Sequence, residues 1–110
     1  MLRKRGFCEF SKKLYWGNSV KKHTVVKWKL YHGSGQFGIF CVTRAANGID
    51  QLEIINSAYL KQPYFRYHPV YIYGIAGGYE EAMDILLRIS QEASIAGMDG
   101  RLLEYLESVG

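Results

Sequence analysis

The stretch YGIAGGYEEAMDILLRISQEASIAG, residues 73–97, decides the fold class of this 110-residue chain. Apolar residues recur three or four positions apart along one face of a helix, at Ala82, Ile85, Leu86, Ile89, Ala93 and Ala96. Glu80 and Glu81 would lie in its first turn, where negative charge complements the positive end of the helix dipole. We therefore predict a long amphipathic helix over residues 79–96, preceded by a short strand over residues 70–75.

A second, shorter helix is predicted after the long one. Gly97 is a suitable end for the first helix, because glycine readily adopts the left-handed conformation of a C-cap. Asp99 is a candidate N-cap for the second. The apolar residues that would hold this helix on the core are Leu102, Leu103, Leu106 and Val109.

The N-terminal part predicts a basic β-hairpin. Val26, Trp28 and Leu30 alternate with lysines at a period of two, which is typical of a half-buried strand. Residues 7–16 do not settle on a helical stripe and predict a strand before it. Between the two, the Gly-Asn-Ser sequence at residues 17–19 is typical of a turn.

The remaining strands complete an α+β fold. Residues 37–42 are apolar on both faces, as in a central strand, and residues 51–58 predict a fourth strand after an Asn-Gly turn at 47–48. Residues 59–68 contain Pro63 and are followed by Pro69, and they predict an ordered loop in place of a strand. Because short loops join antiparallel neighbours, we predict an antiparallel β-meander of four to five strands, followed by a long amphipathic helix and a short C-terminal helix packed on one sheet face.

The composition is that of a packed globular protein. With 48% hydrophobic and 15% aromatic residues the chain is unlike disordered proteins, and its length predicts a single domain over residues 1–110. Cys8 and Cys41 are too few for a disulfide framework and are expected to be buried as free thiols. Because we find neither a signal-like apolar run nor a membrane-length one, we expect a cytoplasmic protein with no membrane partner.

Charge is unevenly distributed along the chain. Residues 1–32 carry nine lysines and arginines and one acid, whereas residues 33–110 carry five basic and nine acidic residues. This distribution predicts a molecule with two electrically different ends.

Residues 59–73 contain five of the nine tyrosines. Tyrosine and arginine are the residues that protein interfaces favour, so this segment predicts a contact for a protein partner or a second copy of the chain in a homodimer. The alternative is that its rings cover the open face of the sheet. The candidate interface residues are Tyr59, Tyr64, Phe65, Arg66, Tyr67 and His68.

The basic hairpin predicts a second kind of partner. Its lysines could neutralise phosphates while neighbouring aromatic rings stack on bases, so nucleic acid or another polyanion is the alternative ligand. A competing explanation is that lysines keep an outer strand from pairing with another molecule. The candidate polyanion-binding residues are Lys12, Lys13, Lys21, Lys22, Lys27 and Lys29.

The sequence contains no recognised catalytic motif. The glycines at 74–78 precede a helix but lack the lysine and hydroxyl residue of a phosphate-binding loop, which favours a tight turn. His23, His32 and His68 have no second ligand at a metal-binding spacing. We therefore expect no cofactor and no metal, and we favour a non-enzymatic interaction module over an enzyme.

Overall fold

A computed structural model describes residues 6–45 and 50–109. Within these residues the strands are β1 (Cys8–Trp16), β2 (Phe40–Arg44), β3 (Leu52–Asn56) and β4 (Val70–Ala76). The helices are α1 (His23–Tyr31), α2 (Tyr64–Tyr67), α3 (Tyr79–Ile95) and α4 (Leu102–Val109), and Ser57–Lys61 forms a 3₁₀ helix. The predicted α+β class is confirmed, while the turn predicted at residues 47–48 lies outside the described residues.

The four strands form one mixed sheet in the order β1-β4-β2-β3. β2 pairs antiparallel with both β3 and β4, whereas β1 pairs parallel with β4. The predicted antiparallel meander is therefore wrong, because the last strand in the sequence inserts between the first and the second. This position explains why β4 is buried over its last five residues.

Residues 23–31 form helix α1 and not the predicted second strand of a hairpin. Val26 and Leu30 are four positions apart and both buried, an arrangement that fits one face of a helix as well as one face of a strand. Trp28 distinguishes the two, because a strand would bury it beside them and the helix leaves it 60% exposed.

Helices cover both faces of the sheet, whereas the sequence predicted helices on one face only. Ile72 and Tyr73 are neighbours on β4, and each belongs to a different core cluster. On the Tyr73 face lie α3 and α4, with Ala82, Ile85, Ile89, Ala93, Tyr105 and Leu106 in the cluster. On the Ile72 face lie α1 and the 3₁₀ helix, with Val26, Leu30 and Leu60 in the cluster.

Other boundaries follow the predictions to different degrees. Helices α3 and α4 form where predicted, and β4 occupies the predicted last strand. β2 begins at Phe40, and Phe37 is fully exposed in the preceding loop. The segment predicted as an ordered loop forms the 3₁₀ helix and α2. Cys8 and Cys41 are buried free thiols, as expected.

A search of the described helices for membrane spans gives a negative result. None of them is both long enough and apolar enough to cross a bilayer.

Candidate functional site

The sheet separates two helical layers of opposite charge. The layer on the Ile72 face consists of residues 20–39 and 57–68, which we call the cationic layer; it carries six lysines and arginines and no acid. The opposite layer, residues 77–109, which we call the acidic layer, carries seven acids and two arginines. Within the described residues, part of the charge difference predicted between the two halves of the chain therefore lies across the sheet.

Large aromatic side chains project from the cationic layer. Trp28 is 60% exposed and Tyr67 is 78% exposed, and Tyr59 and Tyr64 are similarly accessible. The Trp28 ring lies against His32, with their centroids 4.2 Å apart. Since these rings face solvent, much of the segment of residues 59–73, which we call the tyrosine segment, lies on the surface and does not simply cover the open face of the sheet.

Helix α2 explains how the tyrosine segment presents its side chains. It begins directly after Pro63, whose fixed φ suits the start of a helix, and the His68 N–H donates to the Tyr64 carbonyl at 3.0 Å to close it. Phe65 packs against the apolar cluster on the Ile72 face. Tyr64 and His68 stack at 4.3 Å with their planes 9° apart, while the neighbouring Arg66 and Tyr67 are exposed.

The fold places the six predicted polyanion-binding lysines on two different parts of the molecule. Lys21 and Lys22 precede α1, and Lys27 and Lys29 lie on it, so these four belong to the cationic layer together with Lys61 and Arg66. The Lys27 ammonium lies 5.1 Å from the centre of the Phe10 ring.

Lys12 and Lys13 lie elsewhere, on edge strand β1, where the pairing with β4 shifts register between Phe10 and Tyr15. The Lys13 ammonium lies 3.6 Å from the Glu92 carboxylate, on the side of the acidic layer. Lysines and bulges on an edge strand hinder pairing with another molecule, so the competing explanation fits these two residues.

An open depression of about 560 Å³ surrounds the start of α1. Trp16 and His23 stack there with ring centroids 3.7 Å apart, and Lys21 and Lys22 complete its rim. The first turn of α1 contains no acid, and among the described residues no side chain caps it. The positive end of the helix dipole therefore adds to the charge of the two lysines.

The glycine-rich turn before α3 is already occupied by a carboxylate of the chain itself. Glu81 accepts hydrogen bonds from the Gly77 N–H at 2.6 Å and from the Ser19 hydroxyl at 2.8 Å. Burial would raise the pKa of Glu81, but these hydrogen bonds outweigh it and lower the pKa below its ordinary value. Glu81 is the third residue of α3 and its carboxylate fills the turn that precedes the helix, so this turn supports no phosphate site.

A carboxylate on α3 joins three elements of the acidic side. The Tyr15 and Tyr105 hydroxyls donate to Glu92 Oε1 at 2.5 Å and 3.1 Å. The hydrogen bond from Tyr15 is the largest cause of a lowered Glu92 pKa. Burial and this contact raise the pKa of Tyr15. This group ties β1 and α4 to α3 and is best understood as structural.

A pocket of about 280 Å³ lies at the end of the sheet where β4 begins, and we call it the end pocket. Glu9 and Tyr71 are register partners on β1 and β4, and the Arg44 guanidinium lies 5.0 Å from the centre of the Tyr71 ring. Arg44 also donates a hydrogen bond to the Tyr73 hydroxyl at 2.8 Å, and this bond is the largest cause of a raised Arg44 pKa. Sequence reasoning missed this pocket because only the strand order brings Glu9 and Arg44 to one end of the sheet.

The three histidines do not converge on a site. In each, a ring nitrogen lies within hydrogen-bond distance of a backbone carbonyl three or four residues earlier: His23 with Val20, His32 with Trp28, and His68 with Tyr64. A search of the described residues finds no group of three or more His, Cys, Asp or Glu side chains arranged to hold a metal ion.

Comparisons with known proteins give no family assignment. Protein-family models, curated proteins and solved structures were all compared with the chain, and none matches it. Function is therefore inferred from the side chains of the cationic layer and the end pocket.

Proposed function

We propose that the protein is a binding module that takes single-stranded nucleic acid on its cationic layer. One observation carries the proposal: six exposed cations with no acid among them surround exposed aromatic rings on a single face of the sheet. Cations that follow a phosphate backbone and rings on which bases stack are the two components of single-strand binding.

The exposed rings favour a single strand over a duplex. In a duplex the faces of the bases are stacked on one another and are closed to a protein ring, whereas a single strand offers every base face. Tyr64 stacks on His68 and Trp28 packs at a tilt against His32, so the orientation of both rings is partly fixed before a base arrives. Less side-chain freedom is then lost on binding.

Fluorescence anisotropy with a labelled oligo-dT at increasing salt tests the proposal. We expect the logarithm of the binding constant to fall linearly with the logarithm of salt concentration, by about 0.7 for each phosphate that is neutralised. Trp28→Ala should weaken binding about tenfold, since a stacked base contributes roughly 1–3 kcal/mol.

Tyr79→Ala is the matched control for this experiment. Tyr79 is 56% exposed, close to the 57% of Tyr64, but it lies at the start of α3 in the acidic layer. Its replacement should leave the affinity unchanged, whereas Tyr64→Ala should lower it. If wild-type protein shows no salt-dependent binding at low ionic strength, the proposal is wrong.

A second candidate function is contact with another protein molecule through the tyrosine segment. Tyr59, Tyr64 and Tyr67 are all more than half exposed and lie near Arg66, a combination typical of interface centres. The partner would be a second copy of the chain, and sedimentation velocity should show a dimer that Tyr64→Ala, Tyr67→Ala dissociates. A wild-type monomer that retains no protein in pull-downs would remove this candidate.

A further inference from the structure

We infer that the end pocket accepts a guanine base of the bound strand, with Arg44 and Glu9 reading its edge. This inference rests on the proposed function, because it takes a single strand to bind and adds that the protein prefers one base in it.

The lining of the end pocket includes several aromatic side chains. The stacked pair Tyr64 and His68 forms one side, and Tyr71 lies on β4 at the end of the sheet. The volume of about 280 Å³ is near the lower end of the range for ligand pockets, so it suits one ring system and not an extended ligand. Aromatic side chains stack on any base, so they favour a flat ring but do not distinguish one base from another.

The two charged groups of the pocket select among the bases. Arg44 and Glu9 lie on the two strands that flank β4, so the pocket lining contains both a donor and an acceptor beside Tyr71. Guanine presents O6 and N7 as acceptors for Arg44 and its amino group as a donor for Glu9. Adenine has an amino group where guanine has O6, so it would present a donor to the guanidinium.

Arg44 is held in a position from which it can bind a base. Its Nη2 donates to the Tyr73 hydroxyl, and its guanidinium lies over the Tyr71 ring. Arg44 also pairs with Glu107 at 3.4 Å, and because this ion pair is exposed, a ligand could replace it at little cost.

The end pocket is continuous with the cationic layer through α2. Tyr64 and His68 line the pocket; Tyr64 is the first residue of α2, which carries Arg66, and His68 directly follows its last residue. Glu9 would repel a phosphate, so a strand on α2 is favoured with its backbone toward Arg66 and one base turned into the pocket. The charges of Glu9, Arg44 and Arg66 therefore determine both which base is bound and in which orientation the nucleotide lies.

The test uses oligo-dT carrying a single central dG, dA or dC, together with unmodified oligo-dT. We expect the dG oligonucleotide to bind about tenfold more tightly than the other three, since one good pair of base contacts contributes roughly 1–3 kcal/mol. Glu9→Gln should remove most of this preference, because the neutral amide is a weaker acceptor and adds a competing donor.

Glu104→Gln is the charge-matched control, on α4 in the acidic layer. Removing one negative charge strengthens binding of all four oligonucleotides alike, so only the loss of the dG preference reports on the pocket. Equal affinities for the four oligonucleotides in wild-type protein would overturn the guanine assignment and leave the proposed function standing.

If no oligonucleotide binds, the proposed function fails, and a titration with dGMP against dAMP tests the pocket separately. Shifts of the Glu9, Tyr64 and Tyr71 amide NMR signals with dGMP alone would support the guanine assignment. Absence of such shifts would overturn it.

Discussion

Glu92 is a single residue on which the position of three elements depends. Its Oε1 accepts from Tyr15 on β1 and Tyr105 on α4, and the Lys13 ammonium lies 3.6 Å away. Among the strands that the structure describes, edge strand β1 pairs with β4 alone, so this contact supplements a single ladder. Hydrogen bonds to a charged acceptor are about twice as strong as neutral ones.

Glu92→Gln is expected to lower the free energy of unfolding by about 1 kcal/mol at neutral pH, because it replaces charged hydrogen bonds with neutral ones. The folded-state pKa of Glu92 is lowered, so its contribution is complete above the ordinary glutamate pKa and is lost as pH falls through the folded value. Urea denaturation across this pH range should show wild type and variant converging in acid.

Glu104→Gln is the comparison, since Glu104 makes an exposed ion pair with Arg101 at 3.3 Å. A smaller loss is expected there. Equal losses in the two variants, or a difference between wild type and Glu92→Gln that is the same at all pH values, would contradict the role given to Glu92.

At the scale of elements, helix α1 shows where a periodic pattern is ambiguous. Val26 and Leu30 satisfy a period of two and a helical period equally, because both repeats coincide at four residues. The alternation with lysines favoured a strand, but it also fits a helix whose outer face carries Trp28. Helix α3 had no such ambiguity, because its apolar face extends over more than four turns.

The prediction of an ordered loop in the tyrosine segment was wrong for a different reason. A helix of four residues has too few positions to show a period, so the sequence could not distinguish α2 from a loop. Which rings are exposed depends on Phe65 turning toward the apolar cluster, and that follows from packing. Of the six residues that the sequence named as interface candidates, the structure exposes all but Phe65, and their role in an interface stays a prediction.

At the scale of the whole molecule, the sequence could not predict the features that depend on strand order. Insertion of β4 between β1 and β2 brings Glu9 and Arg44 to one end of the sheet. The same topology places residues 57–68 on the face that carries α1, which adds Lys61 and Arg66 to the lysines near α1. The uneven charge was visible in the sequence, but its separation by the sheet depends on long-range pairing.

We propose that nucleic acid binds the cationic layer and leaves the acidic layer free. Two-dimensional amide NMR during titration with oligo-dT at low salt tests this binding mode. We expect the largest shifts within residues 20–39 and 57–68 and on the Trp28 indole N–H, with α3 and α4 unchanged. Shifts concentrated on α3 and α4, or no shifts at any residue, would contradict it.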